Sequence, residues 1–304
     1  MGDFATLERR AEPGPHGSRT LLLALTDSDY PTIALRQSSS LAGLLGLELH
    51  ILRVLPTERP FLAIAPLDIA HVARRVQRCM VAARDTRAWC DQVLAAPLSA
   101  KQLRVRIGPF IEDVGSYANE LNVAFITLAP STGRVGARAT TLARVSARSV
   151  LVVRTSTFQG TLLAATKLED NDYWVVRRAV EFGSHVGASV VALHNCSPWP
   201  PRCAGSDKAR PLGAQERCPI PVPTVVTHEL DPVDAILVQA RIQRAQTVVV
   251  GTRRSSWLGG TIEQGVAVEV IDRCERSVLV APFDRSVPSS SIRQADAASG
   301  PARR

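Results

Sequence analysis

The chain has 304 residues, 45% hydrophobic and 21% charged, with six Cys and a formal net charge of +8. Those values fit a globular protein of about two domains and exclude a wholly disordered chain, a collagen and a disulfide miniprotein. No apolar run approaches the ~18–20 residues of a membrane span, and no secretory signal opens the sequence. Residues 1–18 are polar and broken by Pro13, Gly14, Pro15 and Gly17, and read as a disordered lead. The run Thr20-Leu-Leu-Leu-Ala-Leu-Thr26 has the length and uniform apolarity of a buried parallel strand. Pro31 fits the first turn of a helix with Ile33, Ala34, Leu41, Leu44 and Leu45 on its apolar face, and Gly46 fits its stop. Residues 49–55 read as a second strand. Residues 67–94 read as the clearest helix. Ile69, Val72, Val76, Cys79, Ala83, Thr86, Cys90 and Val93 fall at 3-4 spacing as its buried stripe, with Arg74, Arg75, Arg78, Arg84 and Arg87 off it. A strand follows at 103–107, then a helix marked by Ile111, Val114, Ala118 and Leu121, a strand at 123–129, a short helix, and a strand at 149–153. The order βαβαβαβαβ predicts a parallel sheet covered by helices on both faces.

The pattern then repeats. Thr161-Leu-Leu-Ala-Ala-Thr166 matches the first strand at an offset of 140 residues. A helix carries Val176, Val180 and Gly183, and strands are expected at 189–194, 225–228 and 247–250. A helix is expected at 235–245, and a last one carries Val266, Ala267, Val270, Ile271 and Cys274. Ser277-Val-Leu-Val-Ala281 echoes Ser149-Val-Leu-Val-Val153. The middle differs: residues 197–223 hold seven Pro and two Cys and read as a loop in place of the long helix. Residues 285–304 read as a disordered tail. The expected organisation is a lead at 1–18, one unit at 19–154, a second at 160–284, and the tail.

In an open parallel sheet, ligands bind beyond the carboxyl ends of the strands where the connections change direction. In the second unit that edge carries Gly251-Thr252-Arg253-Arg254, then Gly259, Gly260 and Gly265, before the last helix. Glycines permit close backbone approach to phosphate, a helix start offers free N–H groups, and Arg253 and Arg254 can pair with phosphate oxygens. Thr166 ends the opposing strand. A solvated loop with ordinary turn glycines is the competing reading, and Trp257 either caps a ligand or covers the loop. His194, Cys196, Cys203 and Cys218 are weak metal candidates. Their side chains suit zinc, but the spacing lacks a tight Cys-x2-Cys knuckle, so zinc is not expected. Cys79, Cys90 and Cys274 fall on apolar helix faces and read as small buried hydrophobes.

Val250-Gly-Thr-Arg253, Glu269-Val-Ile-Asp-Arg273 and Val278-Leu-Val280, with the order and repetition of the elements, resemble the universal stress proteins. The tandem arrangement is similar to the two-domain universal stress protein E type. The resemblance implies two tandem doubly wound α/β domains. For ATP-binding members it also implies a loop Gly-x2-Gly-x9-Gly-Ser/Thr after the fourth strand and an Asp closing the first strand. This chain departs from both. Arg254 stands at the second Gly, and Gln264 and Gly265 fill the last two positions. In the first unit Ala129 stands at the first Gly, Gly136 follows after a shortened loop, and Ala137 replaces the hydroxyl residue. Thr26 and Thr166 occupy the Asp positions. Asp27, one residue on, would face the other way along an extended segment.

The expected function is that of a non-enzymatic, cytoplasmic stress-response protein that binds protein partners or a small ligand. ATP is a candidate in the second unit only, and a homodimer is a candidate state. The alternative is a structural or interaction module with decayed ATP sites. The positive charge argues for an acidic partner, but it is carried almost wholly by Arg, as codon bias also gives, and aromatics are only 5%. Nucleic acid is therefore not expected.

Overall fold

A computed structural model describes residues 19–27, 31–57, 69–130, 135–166, 174–195, 220–229, 231–252 and 265–282. The expected lead, the tail, most of the Pro/Cys-rich loop and residues 253–264 lie outside them. The first half runs β1 (Thr20–Leu25), α1 (Thr32–Leu45), β2 (Glu48–Leu55), α2 (Ile69–Val93), β3 (Leu103–Ile107), α3 (Phe110–Glu120), β4 (Phe125–Leu128), α4 (Val135–Ser146) and β5 (Ser149–Val152). The second runs β6 (Thr161–Thr166), α5 (Trp174–Val186), β7 (Ser189–Asn195), β8 (Thr224–Thr227), α6 (Pro232–Ile242), β9 (Ala245–Thr252), α7 (Val266–Arg273) and β10 (Ser277–Pro282).

The ten strands of the described residues join one sheet in the order β3-β2-β1-β4-β5-β10-β9-β6-β7-β8. Every pairing is parallel except the central one, where β5 and β10 run antiparallel with Leu151 opposite Leu279. Each half therefore keeps the parallel order read from the sequence, and the two meet edge to edge. This pairing removes one exposed strand edge from each half.

Alternation along each strand feeds two helical layers. Leu22, Ala24, Leu52 and Val54 point to one face, under α3, α4, α6 and α7. Leu21, Leu23, Leu25 and Ile51 point to the other, under α1, α2 and α5. Phe125 of β4 stacks on Phe182 of α5 at 5.7 Å, with Phe158 edge-on to Phe182 at 6.1 Å, so the second layer is continuous across the joint. Ser277 Oγ accepts from the backbone N–H groups of Arg154 and Thr155 at 3.0 and 3.1 Å, tying the linker to β10.

Local signals set the helix ends. Gly46 adopts φ +64° and closes α1, with its N–H directed at the carbonyls of Ala42 and Gly43. The helix expected at 235–245 starts earlier, because Pro232 occupies its first turn and Asp231 Oδ1 accepts from Val233 N at 2.8 Å. It ends at Ile242, because Ala245 already belongs to β9.

The buried stripe expected along α2 holds only toward its C-terminal end. Thr86 and Cys90 are buried, but Ile69 is 85% exposed, Val76 is 53% exposed and Cys79 is only partly covered. The reason is length. Twenty-five helical residues extend ~37 Å, whereas the eight residues of β2 span ~26 Å. The first turns of α2 overhang the sheet.

Candidate functional site

The carboxyl ends of β1 and β4 form the edge where a ligand is expected in the first half. Thr26, Leu128, Ala129, Phe110, Val135 and Arg138 close around a cavity of only about 10 Å³. Arg138 places its guanidinium 5.8 Å from the centroid of the Phe110 ring, at the favourable distance for a cation over an aromatic face. The start of α4 beside it is also taken. Gly136 N donates to Asp272 Oδ1 at 2.8 Å. Asp272 belongs to α7, so a carboxylate from the other half satisfies an N–H of the kind that binds phosphate in other α/β folds.

This contact gives Gly136 a packing role. A Cβ at 136 would collide with the Val268 carbonyl oxygen and lie 3.0 Å from Asp272 Oδ1. The glycine lets α4 approach α7.

In the second half the equivalent edge is formed by Thr166, Gly251 and Thr252. Thr166 closes β6, and Thr252, which is buried, closes β9 opposite Pro282. Trp174, the first residue of α5, lies over Gly251. A Cβ at 251 would sit 2.5 Å from its Cη2 and Cζ2 and 2.8 Å from Val175 Cγ2. Gly251 is thus required by an indole of the chain itself. Gly265 flanks α7 with an extended backbone, and its carbonyl accepts from Val268 N at 2.8 Å. Arg253, Arg254, Trp257, Gly259 and Gly260 lie outside the described residues.

His194 and Thr166 are brought together. They pair in register across β6 and β7, and His194 Nδ1 lies 3.4 Å from the Thr166 carbonyl oxygen. Cys196, Cys203 and Cys218 lie outside the described residues. Among the described residues no three His, Cys, Asp or Glu side chains are grouped to hold a metal ion.

Sequence reading passed over Arg53, inside the apolar run of β2. Its side chain is 9% exposed. It donates to Thr86 Oγ1 at 3.0 Å, to the Ala82 carbonyl at 3.5 Å, and to Asp27 through its carbonyl at 2.9 Å and Oδ1 at 3.3 Å. Asp27 is therefore turned toward α2 and away from the β1–β4 edge, as its one-residue displacement requires. A single Arg in an otherwise apolar strand was the available signal. Beside Arg53 opens a second cavity of about 300 Å³.

Cys90 and Cys274 sit in environments that suppress reactivity. Burial pushes the Cys90 thiol up to about 12, helped by Asp91 and opposed by Arg87. Burial also raises Cys274, against the Arg276 backbone N–H and the Arg154 charge. Burial lowers Arg154. No helix among the described residues is long and apolar enough to cross a membrane.

Comparison with known proteins finds likeness in the second half and in the fold. Residues 160–282 match the model of the Universal stress protein family. No curated protein matches the chain. Among solved structures, a universal stress protein from Archaeoglobus fulgidus DSM 4304 superposes with a TM-score of 0.55 at 14% identity, over 88% of this chain and 97% of that one. A functionally unknown protein from Pseudomonas aeruginosa PAO1 superposes with a TM-score of 0.53 at 15% identity, over 88% of this chain and 93% of that one. The likeness to the universal stress protein family thus covers residues 160–282, and the two solved structures share the α/β fold of the chain along nearly their whole lengths.

Proposed function

We propose that this chain is a tandem universal stress protein of the two-domain type, acting without enzymatic activity in a cytoplasmic stress response. The observation that carries this reading is the family match over 160–282, together with the same strand order in the first five strands. In this reading the first unit is a scaffold half. Its edge cavity of about 10 Å³ compares with the ~300 Å³ or more of a typical small-molecule site. Any nucleotide is held by the second unit, through Thr166, Gly251, Thr252, Gly265 and the sequence-derived candidates Arg253, Arg254, Gly259 and Gly260.

Native mass spectrometry of the freshly purified full chain, with and without added ATP and Mg²⁺, tests this. At most one nucleotide per chain is expected, and Arg253→Ala with Arg254→Ala should remove it. Two nucleotides per chain would overturn the assignment of the first unit.

A second reading is an intramolecular pseudo-dimer whose nucleotide sites have decayed and which serves as an interaction scaffold. Two contacts favour it: the Asp272 carboxylate on Gly136 and the Trp174 indole over Gly251. Absence of any retained or added nucleotide would select this reading.

A further inference from the structure

We propose that the cavity between β2 and α2 is a separate binding site for a small acid, a phosphate ester or a carboxylate attached to a compact apolar group. The room favours this location. The edge at β1 and β4 holds about 10 Å³, but the space beside Arg53 holds about 300 Å³. A void of ~150 Å³ accepts a benzene ring, so the larger one accepts a ring and its acidic group. It lies on the opposite face of the sheet from the Phe110–Arg138 cleft, because Arg53 shares its strand face with Leu49 and Ile51.

The lining selects the chemistry. Arg53 forms the floor, Arg78 and Gln77 stand on α2, and Leu55, Val81 and Ala82 supply apolar wall. Asp27 and Asp85 also face the space, but each already lies against a guanidinium, Arg53 at 3.3 Å and Arg84 at 3.7 Å. The lining guanidiniums of Arg53 and Arg78 are balanced by the Asp27 and Asp85 carboxylates, and Arg74, Arg75 and Arg84 add positive charge along α2. Burying a guanidinium is costly, and an apolar side chain would fasten α2 to the sheet at lower cost. The Arg is accounted for when an anion arrives. Two of its contacts are long, 3.5 Å to the Ala82 carbonyl and 3.3 Å to Asp27 Oδ1, and these are the ones an incoming anion replaces. The Asp27 side chain is 46% exposed and free to turn into water.

The test uses the full chain at constant ionic strength, with thermal unfolding and calorimetric titration against phenyl phosphate, benzoate and the neutral analogue benzyl alcohol. At ~10 mM, ample for a millimolar site, at least one acid should raise the unfolding temperature and benzyl alcohol should not. Response to phenyl phosphate alone identifies a phosphate ester, and response to benzoate alone a carboxylate. Arg78→Ala should weaken binding about tenfold, the loss of one charged hydrogen bond. Val81→Trp, at a partly exposed helix position, should fill the space and abolish binding while the protein still unfolds cooperatively. No response to either acid, or wild-type binding by Val81→Trp, would overturn the proposal. Nucleotide retention reads the other edge of the sheet, so failure here leaves the proposed function standing.

Discussion

The indole of Trp174 occupies the space that any side chain at Gly251 would need, with Cη2 and Cζ2 2.5 Å from the position of a Cβ. Gly251→Ala is therefore expected to destabilise the protein by about 1–3 kcal/mol, the usual cost of overpacking. A urea denaturation midpoint measures it. Combining Gly251→Ala with Trp174→Leu should cost less than the sum of the two single changes, because the smaller side chain makes room. Strict additivity would mean that the indole is not what excludes the methyl.

Asp272 and Gly136 make the equivalent link across the two halves. Asp272→Ala leaves an N–H at the start of α4 without its carboxylate and should cost ~1–2 kcal/mol. Asp272→Asn retains the Oδ1 acceptor and should recover most of that loss. Equal effects of the two variants in thermal unfolding would show that the hydrogen bond contributes nothing.

The two ligand edges separate by mutation. Arg138→Ala opens the first-unit cleft beside Phe110 and should leave ATP retention by the full chain unchanged, whereas Arg253→Ala with Arg254→Ala should abolish it. Native mass spectrometry reads both. Loss of nucleotide in Arg138→Ala would place it in the first unit.

Cys90 sets a pH dependence with a definite sign. Its folded thiol is raised from 9.0 to about 12, so between those values the folded state keeps a proton that the unfolded state has lost. The thiol's contribution is complete below pH 9 and falls as pH rises through that window. The stability advantage of the wild type over Cys90→Ala should hold up to about pH 9 and shrink as the pH is raised from there toward 12 in denaturant titrations. A constant difference would contradict the raised value.

The same burial predicts selective alkylation. At neutral pH, iodoacetamide should modify Cys79, which is partly exposed, well before Cys90 and Cys274, which are buried. Peptide mass mapping before and after unfolding measures the order. Early modification of Cys274 would show that α7 opens readily from the sheet.

The order of strands and helices was legible in the residues because it rests on local patterns. An unbroken run such as Leu21–Leu25 marks a strand covered on both faces, and Gly46 marks a helix stop that only a left-handed residue completes. The match of Thr161–Thr166 to Leu21–Thr26 at an offset of 140 residues is likewise a property of the sequence alone. What escaped were relationships between distant residues. Spacing alone makes Ile69 and Cys90 equivalent on α2, and only the length of the sheet beneath decides that one is exposed and the other buried. Arg53 is one charge in an apolar strand until α2 brings Thr86 and β1 brings Asp27 to it. Gly136 and Gly251 look alike as flexible loop residues. Folding shows that each is a glycine because another part of the chain, α7 in one case and Trp174 in the other, fills the place of its side chain. Local periodicity fixes which elements form and which face is apolar, but the use of a polar or small residue depends on what the tertiary structure packs against it.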